Sequence, residues 1–153
     1  VAALIYLDSH VVAWLFAGRL DLLPGGVRRL LDSSDLLISP VVELELQYLF
    51  EIQRTANPGH EVIAHLHEEI GLGICDLPFR QVIAAAAGQS WTRDPFDRIL
   101  VAQAMTRQAP LVTKDDHIRQ HYGAAVWGDR QPAPAGRRTT PRRKKADQKG
   151  RSR

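Results

Sequence analysis

Four short apolar runs, residues 4–7, 36–39, 74–77 and 111–113, interrupt the chain without polar alternation. Runs of this kind predict parallel strands covered on both faces. Between them the apolar positions recur every three or four residues, which predicts helices. Segment 10–16 carries Val11, Val12, Trp14 and Leu15, with Asp8 or Ser9 able to cap it and Gly18 to close it. Short helices follow over 24–31, 60–70 and 79–88. The helix over 40–54 opens with Pro40, and Val41, Leu44, Tyr48 and Ile52 form an apolar stripe that Leu46, Leu49 and Phe50 widen. Pro95 opens the next long helix, with Asp94 as its N-cap and Phe96, Ile99, Leu100 and Ala104 facing a core, until Gln108 and Pro110 end it. A helical turn over 116–122 and an edge strand over 124–127 complete the pattern. Strands alternating with helices imply an α/β fold, a three-layer α/β/α arrangement with a central, mostly parallel sheet and right-handed crossovers.

Charge divides the chain unevenly. Residues 137–153 hold nine Lys/Arg against Asp147 alone, whereas residues 1–136 hold eleven basic against sixteen acidic side chains, so the formal +3 combines a body of −5 with a tail of +8. From Gln131 onward Pro, Gly, Arg and Lys dominate, which sets a domain over 1–130 apart from a disordered basic extension over 131–153. Such an extension suits RNA phosphates or serves only to solubilise the chain. Cys75 is the only cysteine, so an internal disulfide and a four-cysteine zinc site are both excluded, and a reducing compartment fits. No apolar run reaches the ~18 residues of a membrane span. The start of the chain, at Val1, has no basic region followed by a signal-like core. A soluble cytoplasmic protein without membrane contact is expected.

The acids are where chemistry is expected. Asp8 ends the first strand, Asp115 lies just past the fourth, and Asp94 and Asp97 open the helix leading into that fourth strand. Should the first and fourth strands be neighbours, Asp8 and Asp115 meet at one sheet edge, the edge where α/β sheets place their sites. Glu45, among Val42, Leu46 and Leu49, can lean into the same crevice, and a carboxylate drawn into apolar surroundings requires a partner or a metal. Oxygen ligands without cysteine suit Mg²⁺ or Mn²⁺. A pair of such ions about 3.5–4 Å apart activates water and steadies a leaving oxygen in an in-line displacement. A phosphodiester substrate follows.

Four blocks in order, LIYLDSHVVAWL (4–15), ISPVVELELQYL (38–49), RDPFDRILVAQA (93–104) and PLVTKDDHI (110–118), resemble the PIN-domain ribonucleases, and within them the VapC-type toxins of bacterial toxin–antitoxin pairs. The resemblance spans nearly all of residues 4–127. It implies that Asp8, Glu45, Asp97 and Asp115 are catalytic and hold Mg²⁺ or Mn²⁺ with help from Asp94, that Glu45 rather than Glu43 is the glutamate of the set, and that Ser9 and Thr113 are supporting hydroxyls. It also implies endonucleolytic cleavage of structured RNA, transfer or ribosomal, leaving a 5′-phosphate and a 3′-hydroxyl. The remaining implications are growth inhibition through translation, a small VapB-type antitoxin as partner, and a homodimer. The basic tail departs from the family's compact ending.

Other readings stand beside these. Asp8 can be a helix cap, Glu45 an ion-paired core edge, Asp115 an Asx-turn acid, and Asp97 a partner of Arg93 or Arg98. Arg93, Arg98 and Lys114 flank the acids and can hold phosphates or remain solvated. His65 and His67 point to different helix faces, and His117 and His121 lack the glutamate of a zinc helix motif, so surface histidines are expected. Trp14, Trp91 and Trp127 can stack bases, with core packing the simpler role. A phosphoaspartate phosphatase needs an acid two residues after Asp8, where His10 stands. The stronger rival is a catalytically silent PIN-like module that binds protein and nucleic acid.

Overall fold

The computed structural model describes residues 2–128, and the basic extension over 131–153 lies outside them. Five parallel strands, β1 (Ala3–Leu7), β2 (Ser34–Ile38), β3 (Gly73–Ile74), β4 (Leu111–Val112) and β5 (Ala125–Val126), form one sheet in the order β3-β2-β1-β4-β5. The chain therefore leaves β1 toward β2 and β3, then crosses to the other side for β4 and β5. That reversal opens a crevice at the carboxyl ends of β1 and β4, the place where open α/β sheets bind ligands. Tyr6 is level with Leu111 and Leu7 with Val112, so Asp8 and Thr113 emerge side by side. The Asp8 amide donates to the Val112 carbonyl at 3.1 Å, fixing that register at the edge of the site.

Ile5, Tyr6, Leu7, Leu111 and Val112 are fully buried, as a strand run without polar alternation requires. Among the described residues seven helices flank the sheet: α1 (Ser9–Phe16), α2 (Gly25–Asp32), α3 (Pro40–Glu51), α4 (Gly59–Ile70), α5 (Phe79–Ala87), α6 (Pro95–Thr106) and α7 (Asp116–His121), with a 3₁₀ turn at Leu20–Leu22. Asp8, Ser39, Asp94 and Asp115 cap α1, α3, α6 and α7 through side-chain oxygens that accept from first-turn amides. Three of these four caps are acids of the candidate site, so one residue both starts a helix and brings a charge to the crevice.

Three expectations are corrected. The strand expected over 74–77 is confined to Gly73–Ile74, with one further bond from the Cys75 amide to the Ile38 carbonyl, because it is an edge strand held on one side by β2 and leaves the sheet ahead of Pro78 and α5. The stripe Val41, Leu44, Tyr48 and Ile52 is not the buried face of α3: Val42 and Leu46 are buried, while Leu44, Tyr48 and Ile52 are exposed. The backbone of α4 settles the orientation of α3. Gly59 sits against the Glu43 carbonyl, where a Cβ would collide, so α3 rests on α4 through Glu43 and Gln47 rather than through Leu44 and Tyr48. The helix also ends at Glu51, three residues early, where Gln53 takes a positive φ of 61°. Among the described residues no helix is long and apolar enough to cross a membrane.

Candidate metal centre

Asp8 is the most firmly held acid. Its Oδ1 accepts from the Ser9 amide at 2.7 Å and its Oδ2 from the Thr113 hydroxyl at 2.6 Å, and the residue is only 6% exposed. The Ser9 hydroxyl stands 3.4 Å from Oδ1. Thr113, wholly buried, also accepts the Asp115 amide at 3.0 Å, so a single hydroxyl ties the acid ending β1 to the acid following β4. Asp115 in turn caps α7 through the Ile118 amide at 2.8 Å.

His10 was not assigned to this site from the sequence, and it belongs to its frame. Its Nε2 accepts the Lys114 amide at 3.0 Å, which leaves Nδ1 to carry the ring proton, and Nδ1 lies 3.5 Å from Asp8 Oδ2. The available signal was positional: two residues after Asp8, in the first turn of α1, a side chain points back to the end of β1.

The helix acids are held differently. Asp97, half-buried on the first turn of α6, has its carboxyl pushed up to about 7, first by loss of solvent and then by the charges of Asp94, Asp115, Asp8 and Glu45. Glu45 is raised too, chiefly by burial and further by Asp8 and Asp94, while the Ser9 hydroxyl beside it acts in the opposite direction. Asp8, Glu45, Asp94, Asp97 and Asp115 thus stand near enough to act on one another at one crevice. Glu43 instead lines a separate cleft with His60, His67 and Leu72. Asp94 is exposed and its Oδ1 accepts from the Phe96 and Asp97 amides at 2.8 and 3.4 Å.

The flanking cations do not neutralise the acids. Arg98 donates through Nε to the Thr92 carbonyl at 2.8 Å and Arg93 to the Ser90 carbonyl at 3.1 Å, and Lys114 extends its ammonium over the Trp14 ring, 5.9 Å from its centre. Asp116 pairs with Arg119 and turns outward. The histidines expected at the surface are there: His117 and His121 are exposed against Trp91, His121 stacking on the indole at 4.9 Å, and His65 meets the edge of Phe16. Trp14, Trp91 and Trp127 are all half-buried and packed on the core.

Five mutually repelling carboxylates whose nearby arginines and lysine bond elsewhere suit a hard divalent cation, which would remove the repulsion that raises Asp97 and Glu45. Among the described residues no three His, Cys, Asp or Glu side chains converge closely enough to hold a metal ion together. That is compatible with Mg²⁺, which usually retains several waters and takes only one or two carboxylates together with substrate phosphate. With ordinary solvation of those waters, the crevice needs carboxylates near one another rather than converged on a point.

A model of the PIN domain matches residues 5–124 of the chain. Ribonuclease VapC22 of Mycobacterium tuberculosis is 31% identical over 120 residues, which cover 76% of this chain and 91% of that protein. Among solved structures, VapBC2 from Rickettsia felis bound to a promoter DNA fragment superposes with a TM-score of 0.54 at 14% identity, over 80% of this chain and 96% of that one. A toxin–antitoxin complex from Klebsiella pneumoniae gives 0.52 at 15% identity, over 82% and 96%. At such identities the structural likeness concerns the fold.

Proposed function

The chain belongs to the PIN-domain family, in its VapC-type branch, and from that premise we propose that it is a divalent-metal-dependent endoribonuclease acting as the toxin of a toxin–antitoxin pair. The observation that carries the reading is the crevice between β1 and β4, where burial, and then the charges of Asp94, Asp115, Asp8 and Glu45, raise the Asp97 carboxyl to about 7 with no arginine or lysine paired to it among the described residues. A bound Mg²⁺ or Mn²⁺ would supply activation of water and charge stabilisation at the scissile phosphate. The chain itself provides the frame. Thr113 and Ser9 orient Asp8, Thr113 sets the backbone that carries Asp115, and the α6 amides hold Asp94 beside Asp97. Arg93, exposed and bonded to the Ser90 carbonyl through one nitrogen, would offer its remaining donors to phosphate; Arg98, less exposed, is occupied at the Thr92 carbonyl and serves the loop instead.

The substrate is RNA, which the ribonuclease name of the relative supports, and the transfer or ribosomal class is what the family resemblance implies; the inhibitor is a small VapB-type antitoxin, which the toxin–antitoxin neighbours support. A homodimer is supported by the exposed apolar stripe Leu44, Tyr48 and Ile52 on α3, which is 44–59% accessible in the single chain. The test is Mg²⁺-dependent cleavage of RNA by the purified chain and by Asp8→Asn. The variant keeps the size and one acceptor oxygen of Asp8, so it folds, and cleavage falls below detection. Equal rates in the two proteins would refute the assignment and favour a silent binding module.

A further inference from the structure

Beside the acids, on the α1 side, lies a shallow cleft of about 330 Å³ lined by His10, Trp14, Lys114 and Asp115. Its floor is the Trp14 indole. His10 stands edge-on to that ring at 5.1 Å and 64°, Trp127 braces it at 6.0 Å, and the Lys114 ammonium covers its open face. The cleft shares Asp115 with the metal crevice, and the Lys114 amide on His10 Nε2 fixes its position relative to Asp8. We propose that this cleft seats one unpaired nucleobase of the RNA, stacked on Trp14, so that the phosphate beside that nucleotide falls at the acids; the proposal rests on the ribonuclease reading and names the part of the substrate the site grips.

Three observations select a base over other occupants. The floor is a flat π surface, the surface on which single-stranded nucleic acids stack. The cation above it is exposed and flexible, so an incoming base displaces Lys114 from the ring and leaves its ammonium free for the adjoining phosphate. The cleft, about 330 Å³ and open to solvent, has room for one base laid on the ring. A base inside a duplex has both faces covered by its neighbours, so only loop, bulge or end nucleotides can enter. Stacking does not distinguish the four bases strongly, so the cleft selects for unpaired structure ahead of sequence.

The test compares binding of a short oligouridylate with that of an abasic ribose-phosphate chain of equal length and charge, without divalent ion. The intact chain should favour the oligouridylate by roughly five- to a hundredfold, the range stacking on one aromatic side chain supplies. Trp14→Leu should erase that preference, Trp14→Phe should keep part of it, and Lys114→Gln should weaken both ligands and flatten the salt dependence by about one phosphate contact. Trp14 is packed on the core, so a measurement sparing it is added: oligouridylate should quench the tryptophan emission of Trp91→Phe, and the abasic chain should not. A preference retained in folded Trp14→Leu, or emission unmoved by the oligouridylate, would overturn the subsite. Cleavage with added Mg²⁺ separates this from the parent reading: cleavage with base preference retained in Trp14→Leu removes the subsite alone, whereas no cleavage of any RNA with the preference lost keeps the subsite and removes the nuclease.

Discussion

The two halves of the acidic crevice are held in opposite ways. On the sheet side, the Asp8 oxygens each receive a donor, Asp115 caps a helix, and Thr113 bridges them from a fully buried position. On the helix side, Asp97 and Glu45 sit half-buried, with raised carboxyls and neighbouring negative charge. The sheet half is organised by hydrogen bonds within the chain itself. The helix half is kept under electrostatic load, which only a cation or a proton relieves. Geometry is thus fixed by one half and affinity for positive charge is stored in the other.

The same isosteric change should break the two halves differently. Asp97→Asn should lower Mg²⁺-dependent cleavage more than about a hundredfold, beyond the loss typical of an outer partner of a metal ligand. It should also raise the melting temperature of the metal-free protein at pH 8, because it removes a charge the fold disfavours. Asp8→Asn should abolish cleavage as well, but lower metal-free stability by roughly 1 kcal/mol, since one accepted hydrogen bond is lost. Calorimetry of both variants checks the signs, and a destabilised Asp97→Asn would erase the contrast between the halves.

Thr113→Val should have the next largest effect. It strands Asp8 Oδ2 and the Asp115 amide together, costing about 1–3 kcal/mol in denaturant unfolding and roughly 10- to 100-fold in cleavage. Thr113→Ser restores the hydroxyl and should recover most of both. If valine is tolerated in activity, the bridging hydroxyl does not align the acids.

A smaller effect distinguishes the two glutamates of α3. Glu45→Gln should weaken Mn²⁺ binding by about tenfold while Glu43→Gln leaves it within about twofold, because only Glu45 shares the crevice. Titration calorimetry with Mn²⁺ decides, and a larger loss in Glu43→Gln would reassign that edge of the site.

The mildest prediction concerns pH. Folded Asp97 keeps its proton up to about pH 7, whereas an unfolded chain releases it near 3.8. Between those limits the folded state binds more protons than the unfolded state, so the metal-free protein loses stability as pH rises from about 4 to 7 and then levels off. A divalent ion must displace that proton, so Mn²⁺ affinity should climb over the upper part of the same window. Thermal melts with and without Mn²⁺ at pH 5.5 and 8 should show the ion's stabilisation growing with pH, and Asp97→Asn should flatten both trends. An ion effect independent of pH would place the metal away from Asp97.

Much of this was legible in the chain. Short unalternating apolar runs specify buried parallel strands, and Pro40, Pro95 and Asp94 mark helix starts through backbone geometry that acts within a few residues. Asp8, Asp94, Asp97 and Asp115 could be named because each sits at a strand end or a helix start, positions that local sequence defines, and Glu45 because it lies among apolar residues of α3. The ribonuclease likeness was likewise carried by contiguous blocks. What depends on distant packing was not legible. Leu44, Tyr48 and Ile52 have helical spacing equal to that of a core stripe, and only the close approach of Gly59 to Glu43 turns them outward. The neighbouring of β1 and β4, 105 residues apart at the Asp8–Thr113 bond, is a fact of topology. So are the bond of the Lys114 amide to His10 and the place of Lys114 over Trp14. Sequence sets periodicity, caps and charge because those interactions are local; it leaves open which faces meet, because that is decided by the joint packing of all the layers at once.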